Sequence, residues 1–175
     1  MRTFGISIVL ALVAAVVAMA GRPALPQAPA AQAGAATMKL FSSAADVQAL
    51  LAKAKGERKE GQVMVAEPIL SLAPYVTNLE YRPVEGAVAV HEKEAELVYV
   101  IDGGGTLTTG GTVLGEKRTN AANLSGTAID GGTIQTLAKG DFAIIPEGTP
   151  HQFKPANGLL VLMTMHVPRP VGSAQ

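Results

Sequence analysis

A chain of 175 residues with 14 basic and 14 acidic side chains has the size for one domain with its own core, and no surplus charge to draw it to nucleic acid or anionic lipid. It contains no cysteine, so thiolate catalysis and sulfur-ligated zinc are excluded and nitrogen and oxygen remain as the strong metal ligands. With no Trp, three Tyr and four Phe, stacking platforms for single-stranded nucleic acid or long sugars are sparse.

The first 20 residues are laid out as a secretory signal: Arg2, an apolar run over 6–20, and the small-residue pattern Ala18-Met19-Ala20. The run is short for a membrane span, and an uncleaved anchor is the competing reading. A Pro/Ala/Gln-rich tract follows over 21–36, too poor in large apolar side chains to order itself, with a second small-residue cleavage pattern at Ala31-Gln32-Ala33. Arg2 and Arg22 are the only charges in the first 36 residues, so removing them leaves a net charge of about −2. The expected location is periplasmic or secreted, without membrane attachment once the signal is gone.

Over 37–60 the sequence predicts the chain's one helix, with Ser43 and Asp46 spaced as a capping pair and Val47, Leu50, Leu51 and Ala54 on one face. From 61 to 170 the pattern changes to short runs of Val, Ile, Leu, Thr and Tyr punctuated by Gly, Pro and Asn, which predicts an all-β domain. Glycine clusters between 103 and 140 imply hairpins with tight turns, and the polar stretch 116–126 reads as an exposed loop. Within it Asn123-Leu124-Ser125 has the form of a glycosylation sequon, which occurs often by chance. A final strand is expected over 159–167, ended by Pro168 and Pro170, with a loose tail over 171–175.

Two stretches carry the chemistry. Strand alternation places Ala87, Ala89 and His91 on one face, and Glu96, Val98 and Val100 share a face in the next strand. A turn over 92–95 that folded these strands into a hairpin would offer His91 and Glu96 to one ion. The third donor is His151, on a turn stiffened by Pro146 and Pro150 and permitted by Gly148. Two imidazoles and a carboxylate make a facial triad with open positions, suited to Fe(II) first and then to Mn, Co, Ni or Zn.

The spacing of these residues resembles the paired motifs of the cupin superfamily. Gly86, His91, Glu96 and Gly103 match the first motif, and Gly140, Pro146, Gly148 and His151 match the second. The resemblance covers about 75–167 and implies a cupin-type double-stranded β-helix, a jelly-roll-like barrel, with a divalent metal held by His91, Glu96 and His151 in its mouth. Two positions depart from the pattern: Ala89 stands where the first motif has its leading histidine, and Pro155 stands where the second has its closing asparagine. The usual fourth ligand is therefore absent.

His166 shares strand parity with Leu160, Leu162 and Thr164 and is a candidate to restore that ligand, against the plainer reading of a strand-end histidine bonded to backbone or water. Tyr81 and Arg82 are candidate pocket residues for an anionic or phenolic substrate, though both can equally be ordinary strand residues. Glu92 and Glu94 read as a solvated turn, Tyr99 as outer packing, and Met163 and Met165 as core or interface filler. The expected function is metal-dependent action on a small oxygenated metabolite, of oxygenase, isomerase or lyase type, with Glu96 the catalytic candidate. The alternative is a non-catalytic binder of a metabolite or metal. A homodimer is expected from the resemblance, with 62–81 as an exchanged arm or as closure of its own barrel.

Overall fold

The structure, a computed structural model, describes residues 38–169. The predicted signal over 1–20, the tract over 21–36 and the tail over 171–175 lie outside the described residues.

Helix α1 spans Ala44–Glu57. Its start is fixed by a reciprocal box in which the Asp46 amide donates to Ser43 Oγ at 3.2 Å and the Ser43 amide donates to Asp46 Oδ2 at 2.8 Å. Those two bonds hold the exposed Asp46 carboxyl below its ordinary value of 3.8. The predicted apolar face is the one that packs: Leu51 and Ala54 are buried, with Val47 and Leu50 beside them.

Eleven strands follow. These are β1 (Val65–Leu72), β2 (Tyr75–Arg82), β3 (Val88–His91), β4 (Glu94–Thr109), β5 (Thr112–Leu114), β6 (Lys117–Arg118), β7 (Asn123–Gly126), β8 (Ala128–Asp130), β9 (Thr133–Ala138), β10 (Phe142–Ile145) and β11 (His151–Pro168). Nine of them form one sheet in the order β1-β2-β11-β3-β7-β6, with β4 pairing β9, β10 and β11, while β5 and β8 form a small ribbon. Within the 62–81 segment, β1 and β2 form a hairpin, and β2 pairs with β11 of the same chain.

The barrel is organised by β4 and β11, which run antiparallel from Glu94 opposite Pro168 to Thr109 opposite His151. Both ends of β11 nevertheless contact Glu96, since His166 is its register partner and His151 Nε2 lies 3.0 Å from its Oε2. The pair must therefore fold over in the middle. It does so where the register slips between Pro155 and Leu160, opposite Gly103, Gly104 and Gly105. A Cβ at Gly103 would stand 2.2 Å from the Leu159 carbonyl oxygen, and one at Gly105 would stand 2.2 Å from that of Lys154. Glycine is required at this fold-over because the two backbones come too close for any side chain.

Directly opposed residues on neighbouring strands share a face. Arg82 opposes Leu160, Glu80 opposes Leu162, and Asn78 opposes Thr164, which in turn opposes Val98. These side chains line the inside with Val100, Leu107, Leu137, Ile145 and Phe153. The intervening residues Leu79, Tyr81, Val161 and Met163 face outward and form a second core under α1 with Val65 and Ile69. At about 1.5–3 kcal/mol for each fully buried large aliphatic side chain, these two cores supply the packing that a cysteine-free chain needs.

Three expectations are corrected. Strands β3 and β4 do not form a hairpin: β3 pairs with β11 and β7, and β4 pairs with β9, β10 and β11. The short turn at Glu92 and Lys93 instead carries the chain from one wall of the barrel to another. The polar stretch 116–126 is not a free loop, because it contains β6 and β7 and completes the wall beside β3. The last strand begins at His151, eight residues earlier than expected, and includes Pro168 as its final residue.

Candidate metal centre

Four side chains converge at the mouth of the barrel. Glu96 is only 3% exposed and His151 3%, while the side chains of His91 and His166 are 20% and 32% exposed and form the rim. Glu96 Oε2 stands 3.0 Å from His151 Nε2 and 3.6 Å from His91 Nε2. The ring centroids of His91 and His151 are 5.3 Å apart, and those of His91 and His166 are 4.3 Å apart. His91, Glu96 and His166 each place a ligand atom within 4.8 Å of the others, a grouping that can hold a metal ion.

The surroundings dictate which nitrogen of each ring is free. His151 Nδ1 is 3.1 Å from the Thr149 carbonyl oxygen, which only accepts, so Nδ1 carries the proton and Nε2 presents a lone pair. His91 Nδ1 is 2.8 Å from Asn123 Oδ1, and the same reasoning leaves its Nε2 bare. With both rings neutral, two nitrogen lone pairs face a carboxylate oxygen, and Glu96 Oε2 is buried with no hydrogen-bond partner. Acceptors turned on one another across 3.0–3.6 Å repel unless a positive charge lies between them. A divalent transition metal fits this arrangement, since ligand atoms each about 2.1 Å from one ion and at right angles sit about 3 Å apart. The Thr149 carbonyl and the Asn123 amide are the kind of outer partner that fixes the tautomer and aim of a ligating histidine.

Titration follows the same geometry. Burial is the largest influence on His91 and holds it below its ordinary value of 6.5; His166 and His151 add to this, against Asn123 and Glu96. His91 is therefore in its neutral, donor form at pH 7. Burial pushes the Glu96 carboxyl up, but a hydrogen bond from His151 and the positive charge of His151, His166 and His91, which act when those rings are protonated, outweigh this and bring it below 4.5.

Of the predicted triad, His91 and Glu96 fall with His166 in one grouping of ligand atoms, and His151 joins them through its 3.0 Å approach to Glu96 Oε2. Tyr81 does not reach the site: it lies on the outer face of β2, packed toward α1, with Lys55 Nζ 5.9 Å from its ring. Arg82 does face inward, yet its guanidinium is bound to Glu80 at 2.7–2.8 Å and stacked 4.8 Å from the Phe153 ring, so it is committed to the wall. Glu92 is held outside by Arg118 at 2.7 and 3.1 Å, while Glu94 Oε2 lies 3.6 Å from His166 Nδ1. Tyr99 packs on Phe142 on the outer surface, at 4.6 Å between ring centroids.

Asn123 is a site residue that the sequence does not single out as one. It is the register partner of His91, but that pairing joins residues 32 apart and nothing local marks it. Its side chain is turned onto His91, so the sequon it heads is occupied in holding a ring.

The strand topology defines the architecture: an all-β barrel of double-stranded β-helix type with one helix outside it. Solved structures similar to it include the TT1209 protein of Thermus thermophilus, at 20% identity over 69% of this chain and 95% of that one, with a TM-score of 0.48. The cupin domain of Cnp3 from Schizosaccharomyces pombe aligns at 13% identity over 66% of this chain and 72% of that one, with a TM-score of 0.47. A Klebsiella pneumoniae protein with a double-stranded β-helix domain aligns at 19% identity over 66% and 85% of the two chains, with a TM-score of 0.46. No family model matches the sequence, and no curated protein matches it significantly.

Proposed function

We propose that the barrel mouth holds a divalent transition metal through His91, Glu96 and His151 and acts on a small oxygenated metabolite, in an oxygenase, isomerase or lyase type of reaction. Fe(II) is favoured for a site of two imidazoles and one carboxylate, with Mn, Zn, Ni or Co as the other occupants. The observation that carries this reading is the set of three acceptors turned on one another, with both Nδ1 atoms already committed to Thr149 and Asn123.

When bound, such an ion supplies Lewis-acid polarisation of an oxygen ligand and, if redox-active, electron transfer. The chain's own residues do the rest. Substrate enters over the exposed rim formed by His91 and His166, because Glu96 and His151 are closed off by the barrel wall. Val98 and Phe153 keep water from the inner side. Glu96 Oε2 is the atom placed to take or return a proton from a bound substrate.

Ala89 favours a second reading, since position 89 offers no donor: a binder of a metabolite or metal without turnover. Elemental analysis of the untagged protein, followed by chelation and reloading, tests the first reading. We expect stoichiometric transition metal and a property, turnover or ligand binding, that disappears on stripping and returns on reloading. Protein that holds no transition metal after purification and takes up none on reloading refutes it. Turnover against a panel of small oxygenated acids and sugars separates enzyme from binder.

The proposal extends to an exported, periplasmic or secreted protein, supported by the signal-like layout of 1–20, with a small-molecule substrate rather than nucleic acid or membrane as its partner. It extends also to a homodimer, supported by the exposed apolar Phe41, Leu72, Tyr75 and Val76 on and beside the β1–β2 hairpin.

A further inference from the structure

We infer that His166 is the fourth ligand of this centre and takes the coordination position for which residue 89 has no donor. The inference rests on the metal-binding reading above and gives it a ligand set particular to this chain.

Position 89 belongs to the site by backbone geometry. It precedes His91 by two residues on the same face of β3, and it is the register partner of His151. A donor there would stand beside both imidazoles, but the residue is alanine and contributes a methyl group. The space and the ion's open position are then available to another strand.

His166 comes from the far end of β11 and reaches the same place from the opposite side. It is the register partner of Glu96, and its ring lies 4.3 Å from that of His91 at 80° between planes, close enough for one ion to serve both. Its ligand atom is within 4.8 Å of those of His91 and Glu96. Among the described residues, only two buried side-chain polar atoms lack a hydrogen-bond partner, Glu96 Oε2 and His166 Nδ1, and both are in this cluster. A strand-end histidine with a structural role has its ring nitrogens bonded to backbone or water. The Nδ1 of His166 is buried instead, with the Glu94 carboxylate 3.6 Å away as its nearest ionic neighbour. A cation held between Glu96 and His166 would answer the unpartnered atoms on both side chains. The fold-over of β11 makes this possible by delivering His151 and His166, fifteen residues apart, to one carboxylate.

The test uses the untagged protein loaded with Co(II), whose visible absorption reports the ligand set, and measures Co(II) affinity by competition with a chelator. His166→Ala is expected to weaken Co(II) binding by on the order of 100-fold, the upper end of what losing an outer-shell partner costs, and to shift the absorption bands, which the loss of an outer-shell partner leaves close to the parent's. Ala89→His placed in the His166→Ala background is expected to recover most of the lost affinity, since it restores a donor at the vacated position. Thermal unfolding of the metal-free variants, expected to match the parent, separates ligand loss from misfolding, and His166→Gln provides a milder change at the same strand end. Unaltered affinity and spectrum in His166→Ala overturn the inference and leave the His91, Glu96 and His151 centre standing. Failure of the parent protein to bind Co(II) at all overturns the underlying reading and this inference with it.

Discussion

Two glutamates sit on the inside of this barrel, each nearly excluded from solvent, and their surroundings could hardly differ more. Glu80, 7% exposed, is fully answered: Arg82 donates to its Oε2 at 2.7–2.8 Å and Thr164 donates to its Oε1 at 3.0 Å. Glu96, 3% exposed, has an oxygen that faces two bare imidazole nitrogens and makes no hydrogen bond. The first is a charge whose partners are built into the wall, so it needs nothing from outside. The second is a charge whose neighbours are arranged to share a cation. Burial alone does not separate a structural carboxylate from a functional one; the polarity of what faces it does.

The largest expected effect comes from exchanging charge for amide at each glutamate in turn. Glu96→Gln should abolish stoichiometric metal retention, read by elemental analysis, while the metal-free variant keeps the parent's fold. Glu80→Gln should do the reverse. Metal retention should persist, and chemical denaturation should show a loss of about 3 kcal/mol, the scale of breaking a buried ion pair on one side only. Equal behaviour of the two variants would erase the contrast.

A smaller effect is expected at Asn123, which touches the site only through His91 Nδ1. Asn123→Ala should lower metal affinity by about 10- to 100-fold with little change in fold, measured by chelator competition, as for other outer partners of a ligating histidine. Unchanged affinity would mean that β7 closes the wall without aiming the ring.

The smallest effect is expected with pH. The folded protein holds His91 below 6.5 and Glu96 below 4.5, so on acidification the unfolded chain takes up each proton first. The stability these groups contribute is therefore complete above about pH 6.5 and is lost as pH falls, first through the His91 range and then through that of Glu96. Metal affinity should be level above about pH 6.5 and decline below it, because a protonated ring cannot ligate. Thermal midpoints of the metal-free protein that rise on acidification would contradict both directions.

What the sequence made legible was whatever depended on local spacing. The Ser43–Asp46 capping pair, the helical face over Leu51 and Ala54, and the two glycine-histidine rhythms are patterns within fifteen or twenty residues, and each appears in the structure. What stayed hidden depended on pairing between distant strands. His91 and Glu96 looked like two arms of a hairpin because they are five residues apart, whereas the chain turns a barrel corner between them. Asn123 looked like part of a loop because β7 gains its identity only from lying against β3. Tyr81 and Arg82 could not be told apart without register, since adjacent residues on a strand face opposite ways. Parity alone did nominate His166, but only the fold-over at Gly103 and Gly105 shows why both ends of β11 can serve one carboxylate.

What lies between Glu96 Oε2 and the facing nitrogens of His91 and His151 decides whether this barrel mouth is a metal centre. Anomalous diffraction at a transition-metal edge, on crystals of the untagged protein, addresses this directly. The expected result is a single strong peak about 2.0–2.3 Å from each of those three atoms. A density map with no such peak, in which the His151 ring is flipped or protonated to donate a hydrogen bond to Glu96, would contradict it.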